Sequence, residues 1–313
     1  MYRFPRLQLP PEILADTSAK SYTSSPNWPG GLQISPVEYS QRTQFALELA
    51  QIASNVTLGF FRTKAYQVER KSDRSPVTAA DKGAEHAVRQ AISQSYPQDG
   101  LLGEEFGSVA GQNDFEWIID PIDGTKSFIS GVPLYSTLVG LTYRGQPLIG
   151  VIAIPALGEV VLGAVGCGAW YGQRDPQAPT DDSLSMHRCH VSSLDALSEG
   201  LFLTSQVDNF DRRGAQHAYL ALQQEAYVSR SWGDGYGYLL VATGRGELMV
   251  DPIVNPWDVA AVAPVIMEAG GKFTCWSGEV NLRAGHCLAS NGLVHDYALS
   301  VLKPFANHQR CML

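Results

Sequence analysis

The run Trp117-Ile118-Ile119-Asp120-Pro121-Ile122-Asp123-Gly124-Thr125 constrains this chain more than any other stretch. Its apolar half reads as a buried strand that carries Asp120 to its end, and Pro121 then turns the backbone so that Asp123 faces the same point. Two carboxylates that close repel unless a cation lies between them. Gly124 permits close backbone approach, and Gly124-Thr125-Lys126-Ser127-Phe128 reads as a short helix or turn whose leading N–H groups can receive an anion. A metal site beside an anion site is one reading. An ordinary strand-to-turn junction, with Asp123-Gly124 as turn chemistry and Asp120 as a backbone acceptor, is the plain alternative.

Three further segments bear on that choice. Leu101-Leu102-Gly103-Glu104-Glu105-Phe106-Gly107 again ends an apolar run in carboxylates. Asn255-Pro256-Trp257-Asp258 precedes an Ala/Val-rich segment that closes on Gly270-Gly271, so Asn255 reads as an N-cap, Pro256 as the first helical residue and Asp258 as a first-turn acid. Asp81 follows Lys71-Ser72-Asp73-Arg74-Ser75-Pro76-Val77-Thr78-Ala79-Ala80 and enters a segment with helical spacing at Ala84, Val88 and Ile92, where a simple cap is the plain alternative.

Together these segments resemble the inositol monophosphatase-like superfamily of metal-dependent phosphatases, whose Gly-Glu-Glu, Asp-Pro-Ile-Asp-Gly-Thr and Trp-Asp motifs occur here in order, across roughly residues 40 to 300. Asp120 to Gly131 and Trp232-Gly233-Asp234-Gly235-Tyr236-Gly237-Tyr238 look most like its histidinol-phosphate phosphatase branch. The resemblance implies an α-β-α-β-α layered sandwich, an α/β fold shared with fructose bisphosphatase, and hydrolysis of L-histidinol phosphate. Inositol phosphate and a 3′-phosphoadenosine nucleotide are rival substrates, and a non-catalytic regulatory or RNA-associated module is a rival of another class.

Carried over by motif, Glu104, Asp120 and the Ile122 carbonyl would hold one Mg²⁺ while Asp120, Asp123 and Asp258 hold a second, with room for a weak third shared with Glu104. Thr125 linked to Asp81 would orient water, with Glu104 sharing the base role, and Gly124 and Thr125 N–H groups would receive phosphate. Asp251, Asp234 and Asn255 are the expected substrate contacts. Asp251 also reads as the start of a turn, and Asp234 equally as a helix cap. Glu105 has an expected support role, and Lys71 matches a basic residue near the metal loop or is an ordinary surface lysine.

The rest of the chain is consistent with that expectation. A net charge of −8 without a basic stripe argues against nucleic-acid binding, and no apolar stretch reaches membrane-span length. Cys167, Cys189, Cys275, Cys287 and Cys311 lack zinc spacing and read as reduced thiols in cytoplasm, or in a plastid stroma if the N-terminus is a transit peptide. His187, Cys189 and His190 read as a solvated loop. Residues 1–35, rich in Pro, Ser and Thr, read as an extension without strong periodicity that packs on the surface or crosses to a partner subunit, the family implying a homodimer. Beyond it, 36–190 form a metal-binding α+β half and 191–313 an α/β half of one catalytic unit. Ser35-Pro36-Val37-Glu38 reads as a capping box opening a helix through Phe45, Leu49, Ile52 and Val56. A strand meander follows the Asp-rich motif, from Leu134 to Tyr171, and 200–250 alternate strand and helix.

Overall fold

The structure, a computed structural model, describes residues 3–10, 13, 34–63, 68–70, 76–175 and 183–307. The chain enters through β1 (Arg6–Leu7), which pairs in parallel with Ser183 and Leu184, while Phe4, Leu7 and Leu9 are buried against the first helix, α1 (Pro36–Phe60). Among the described residues of the extension, this strand and the buried Phe4, Leu7, Leu9 and Ile13 pack against the body of the protein. Ser35 caps α1 by accepting from the Glu38 N–H at 3.1 Å, but Glu38 turns its carboxylate to Arg42 Nε at 3.1 Å instead of closing the expected capping box.

A two-stranded ribbon, β2 (Val68–Arg70) and β3 (Pro76–Thr78), leads into α2 (Ala79–Ser95). The capping box forms here: Asp81 accepts from the Thr78 N–H at 2.8 Å and Thr78 Oγ1 accepts from the first turn. Ala84, Val88 and Ile92 are buried, as their spacing predicts.

The larger sheet is built from β4 (Gly100–Gly103), β5 (Gly107–Val109) and β6 (Phe115–Asp123), then, after α3 (Thr125–Ile129), from β7 (Ser136–Tyr143), β8 (Gln146–Ile154), β9 (Glu159–Ala164) and β10 (Gly168–Gln173). β11 (Ser183–Leu184) is the partner of β1, and β12 (His187–Cys189) completes the order β12-β10-β9-β8-β7-β6-β4-β5. Only β4 and β6 run parallel. The meander is therefore present, whereas His187 and Cys189 lie on an edge strand with Cys189 buried, not in the expected solvated loop.

The second sheet comes from β13 (Leu201–Leu203), then α4 (Asp208–Arg212), α5 (Gln216–Glu225), β14 (Val228–Arg230), α6 (Asp234–Ala242) and β15 (Leu248–Asp251). After α7 (Pro256–Val259) and α8 (Val262–Glu268), β16 (Lys272–Thr274) and β17 (Cys287–Ser290) complete the order β14-β13-β15-β17-β16, and α9 (His295–Leu302) follows. The sequence predicts one helix from Pro256 toward Gly270; it is broken at Ala260–Ala261, because Pro264 has no N–H to give the carbonyl four residues back.

Three cores define the layers. The first packs α1 and α2 on the large sheet, the second holds α6, α7 and α8 between the sheets, and the third covers the small sheet with α5 and α9. The result is the layered α-β-α-β-α sandwich. Gly140, Gly150 and Gly163 are cross-strand neighbours on β7, β8 and β9. A Cβ on Gly140 would come within 2.8 Å of the Ala260 backbone, and one on Gly150 or Gly163 would overlap Ala261 or Val265. The α7–α8 backbone therefore lies directly on the sheet, which sets the height of Asp258.

Candidate active site

β6 delivers two carboxylates to one side by breaking its own register. Asp120 pairs with Leu138 and Asp123 with Ser136, so three steps on β6 face two on β7. In a regular strand residues three apart point to opposite faces; the extra residue in this bulge returns Asp123 to the side of Asp120. Pro121 belongs at such a place because it has no N–H for the ladder, and Thr137 Oγ1 donates to its carbonyl at 2.8 Å. Asp120 Oδ1 accepts from the Ile122 N–H at 3.1 Å, and Asp123 Oδ2 accepts from Ser136 Oγ at 2.8 Å and the Gly235 N–H at 2.5 Å.

Asp258 arrives from the other sheet's side, fixed on α7 by the Asn255 N–H, which donates to its Oδ2 at 2.7 Å. Oxygens of Asp120, Asp123 and Asp258 lie within 4.8 Å of one another, the one such ligand group among the described residues. Glu104, in the turn after β4, is outside that tight group but close enough to act on it by charge. Burial first, then Glu104, Asp123 and Asp258, push Asp120 well above the usual carboxylate range. Burial and the charges of Asp234 and Asp258 do the same to Asp123, against the pull of its Ser136 and Gly235 hydrogen bonds. Asp258 is raised to about 8, chiefly by burial, with Glu104 and Asp234 adding to it against the Asn255 N–H. Carboxylates so crowded must take up either protons or a cation, and an all-oxygen set suits a hard divalent ion such as Mg²⁺.

Beside them, Gly124 heads α3 with φ +83°, a left-handed conformation that glycine adopts without strain, and the first N–H groups of that turn have no acceptor within the helix. Thr125 Oγ1 donates to the Ile122 carbonyl at 3.2 Å and to Asp81 Oδ1 at 3.4 Å. Burial raises the proton affinity of Asp81, and the Thr78 hydroxyl and N–H draw it back.

Asp234 opens α6 with φ +55°, strained for a residue with a Cβ, and its N–H is held by Ser205 Oγ at 2.8 Å. A Cβ on Gly124 would stand 2.6 Å from Asp234 Oδ2, so this carboxylate overhangs the anion-binding turn. Its pKa is pushed up to about 6 by burial and then Asp251, while the Lys126 ammonium lowers it. Asp251 lines the same pocket, but its oxygens accept from Ser205 N at 2.8 Å, Ser205 Oγ at 2.8 Å, Tyr238 Oη at 2.7 Å and Thr204 Oγ1 at 3.3 Å. Asn255 caps α7. Lys71 lies outside the described residues. The lysine the structure brings to the site is Lys126, hydrogen-bonded to Gln206.

Sequence reasoning also missed Ser205, Ser136 and Glu85. The last carried a signal: Asp81 and Glu85 are four apart on one helix, so they share a face. Glu105, expected in support, gives its backbone N–H to Glu85 Oε2 at 2.7 Å.

The sandwich and its carboxylate cage beside a glycine-headed turn define a phosphomonoesterase with an acidic, cation-seeking centre. The chain belongs to the inositol monophosphatase family, whose pattern matches residues 38–308. It is similar to the histidinol-phosphatase of Streptomyces coelicolor, 38% identical over 270 residues that cover 85% of this chain and 98% of that one. It is also similar to the histidinol-phosphatase of Chlorobaculum parvum, 41% identical over 247 residues covering 79% and 90%. Among solved structures, an inositol monophosphatase from Zymomonas mobilis superposes with a TM-score of 0.71 at 29% identity, covering 85% of this chain and 98% of that chain.

Proposed function

We propose that this protein hydrolyses L-histidinol phosphate with Mg²⁺ held in two sites. Glu104, Asp120 and the Ile122 carbonyl would hold one ion, and Asp120, Asp123 and Asp258 the other; the crowding of these acids around the buried Asp120 supports both. When bound, Mg²⁺ supplies positive charge to the phosphoryl and leaving oxygens and acidifies a water. Thr125 Oγ1 orients that water and relays its proton toward Asp81, which Thr78 holds in place, and Glu104 shares the base role. The Gly124 and Thr125 N–H groups receive phosphoryl oxygens. Water oxygen bonds to phosphorus as the ester P–O bond breaks, and the departing alkoxide takes a proton from solvent, with no phosphoenzyme.

The observation that carries the substrate is Asp234, an acid poised over the phosphate turn where the ammonium of histidinol phosphate can pair with it. The names of the two curated relatives agree. Asp251 then acts mainly through Ser205 and Tyr238, and Asn255 through Asp258, while Lys126 tempers the charge of Asp234. Because Asp120 and Asp123 come from the large sheet and Asp258 from the helix layer between the two sheets, residues 36–190 and 191–313 work as one catalytic unit. The family resemblance supports a homodimer, and the buried thiols Cys167, Cys189, Cys275 and Cys287 suit a reducing compartment.

Phosphate release with Mg²⁺ or chelator, from histidinol phosphate, inositol 1-phosphate and 3′-phosphoadenosine 5′-phosphate at equal concentration, tests this reading. A metal-dependent preference for histidinol phosphate is expected. Preference for either rival overturns the substrate, and no release from any of the three overturns catalysis.

A further inference from the structure

Glu85 is fully buried on α2, one turn beyond Asp81, and the expected chemistry gives it no task. Its carboxylate nonetheless holds the turn that carries Glu104. Oε2 accepts from the Glu105 N–H at 2.7 Å and Oε1 from the Phe106 N–H at 3.1 Å, while Arg89 Nε donates to Oε1 at 2.7 Å. Arg89 also reaches past the turn to the Gly107 carbonyl, so the segment is gripped at both ends. On the near side, a Cβ added to Gly103 would overlap Glu85 Oε1. Glycine at 103 and a carboxylate at 85 are thus two halves of one fit, with Glu104 strung between the clamped residues.

We propose that Glu85 is the positioning residue for Glu104, setting the affinity of the protein for Mg²⁺ without touching the ion. The inference rests on Glu104 being a metal ligand. A buried carboxylate that takes two N–H groups of one turn fixes that turn's backbone at low reorganisation cost, and outer partners of metal ligands are worth about 10- to 100-fold in affinity. The same helix face offers Asp81 to Thr125, so α2 positions the water-orienting hydroxyl and the Glu104 turn together.

The test is calorimetric titration of the full chain with Mg²⁺, which needs no substrate, comparing wild type, Glu85→Gln, Gly103→Ala and Glu104→Gln. The amide of Glu85→Gln keeps the volume but turns one acceptor into a donor aimed at N–H groups. Gly103→Ala keeps the carboxylate and pushes the turn off it, and it decides the matter if Glu85→Gln does not fold. The expected result is Mg²⁺ affinity weakened about tenfold or more in both variants, with the melting temperature in chelator showing a folded protein. A folded Glu85→Gln or Gly103→Ala that binds Mg²⁺ like wild type while Glu104→Gln binds weakly removes the positioning role alone. If Glu104→Gln also binds normally, the ligand assignment falls with it.

Discussion

Asp123 shows at the scale of one residue why this site trades stability for chemistry. Its half-buried carboxylate has a pKa held well above the ordinary range by desolvation and by the charges of Asp234 and Asp258, so without metal it strains the fold. Asp123→Asn is expected to lower turnover by about 100-fold or more, yet to raise the melting temperature in chelator because the repulsion is relieved. Kinetics and melting on one preparation check both, and unchanged turnover sinks the two-metal mechanism. In the proposed function Asp234 belongs to selectivity. Asp234→Asn should cost histidinol phosphate about 10- to 100-fold in kcat/KM, the worth of a charge-assisted hydrogen bond, and leave a phosphate ester without an ammonium group, such as glycerol phosphate, nearly unaffected. Much of the acidic cluster that the structure gathers was legible because Glu104, Asp120, Asp123 and Thr125 stand in short motifs. Glu85, Ser205 and Lys126 were not, since each acts on a partner 20 or more positions away whose approach only the fold creates.

At the scale of elements, the seam between α7–α8 and the large sheet decides whether the two halves of the cage meet. Gly150 faces the Ala261 carbonyl so closely that Gly150→Val must lift the helix or bend the strand, at about 1–3 kcal/mol of stability. Because Asp258 rides on α7, the same variant should need more Mg²⁺ for half-maximal activity. A melting curve and a Mg²⁺ titration check the pair, and loss of stability with an unchanged Mg²⁺ requirement would separate the seam from the site. The strands themselves were readable from their apolar runs and turn signals. Their glycine row was not, because Gly140, Gly150 and Gly163 become neighbours only once register is known. Nor did periodicity foresee that Pro264 splits the helix behind Asp258, although the missing N–H was in plain view.

For the whole molecule, acid sensitivity should come from the third core as well as from the site. His286 is buried; its Nδ1 accepts the Trp276 N–H at 3.0 Å, so the ring proton sits on Nε2, facing the Ala306 carbonyl at 3.2 Å. Burial, helped by Arg213, pushes its pKa down to about 4 from an ordinary 6.5. Between those values the unfolded chain binds the extra proton, so stability is full above about pH 6.5 and falls as pH drops toward 4, by on the order of 3 kcal/mol. His286→Gln should flatten part of that slope in melting curves recorded across the window; an unchanged slope assigns the acid loss elsewhere. The layered class followed from family resemblance, since mixed strand and helix patterns alone do not say which faces stack. The cage closes across two layers, with Asp120 and Asp123 on one and Asp258 on the other. Empty, its like charges act as a wedge; filled, as a rivet. The rigidity of the protein then reports the magnesium around it, and digestion by a nonspecific protease should slow markedly as Mg²⁺ is added, in the absence of any substrate.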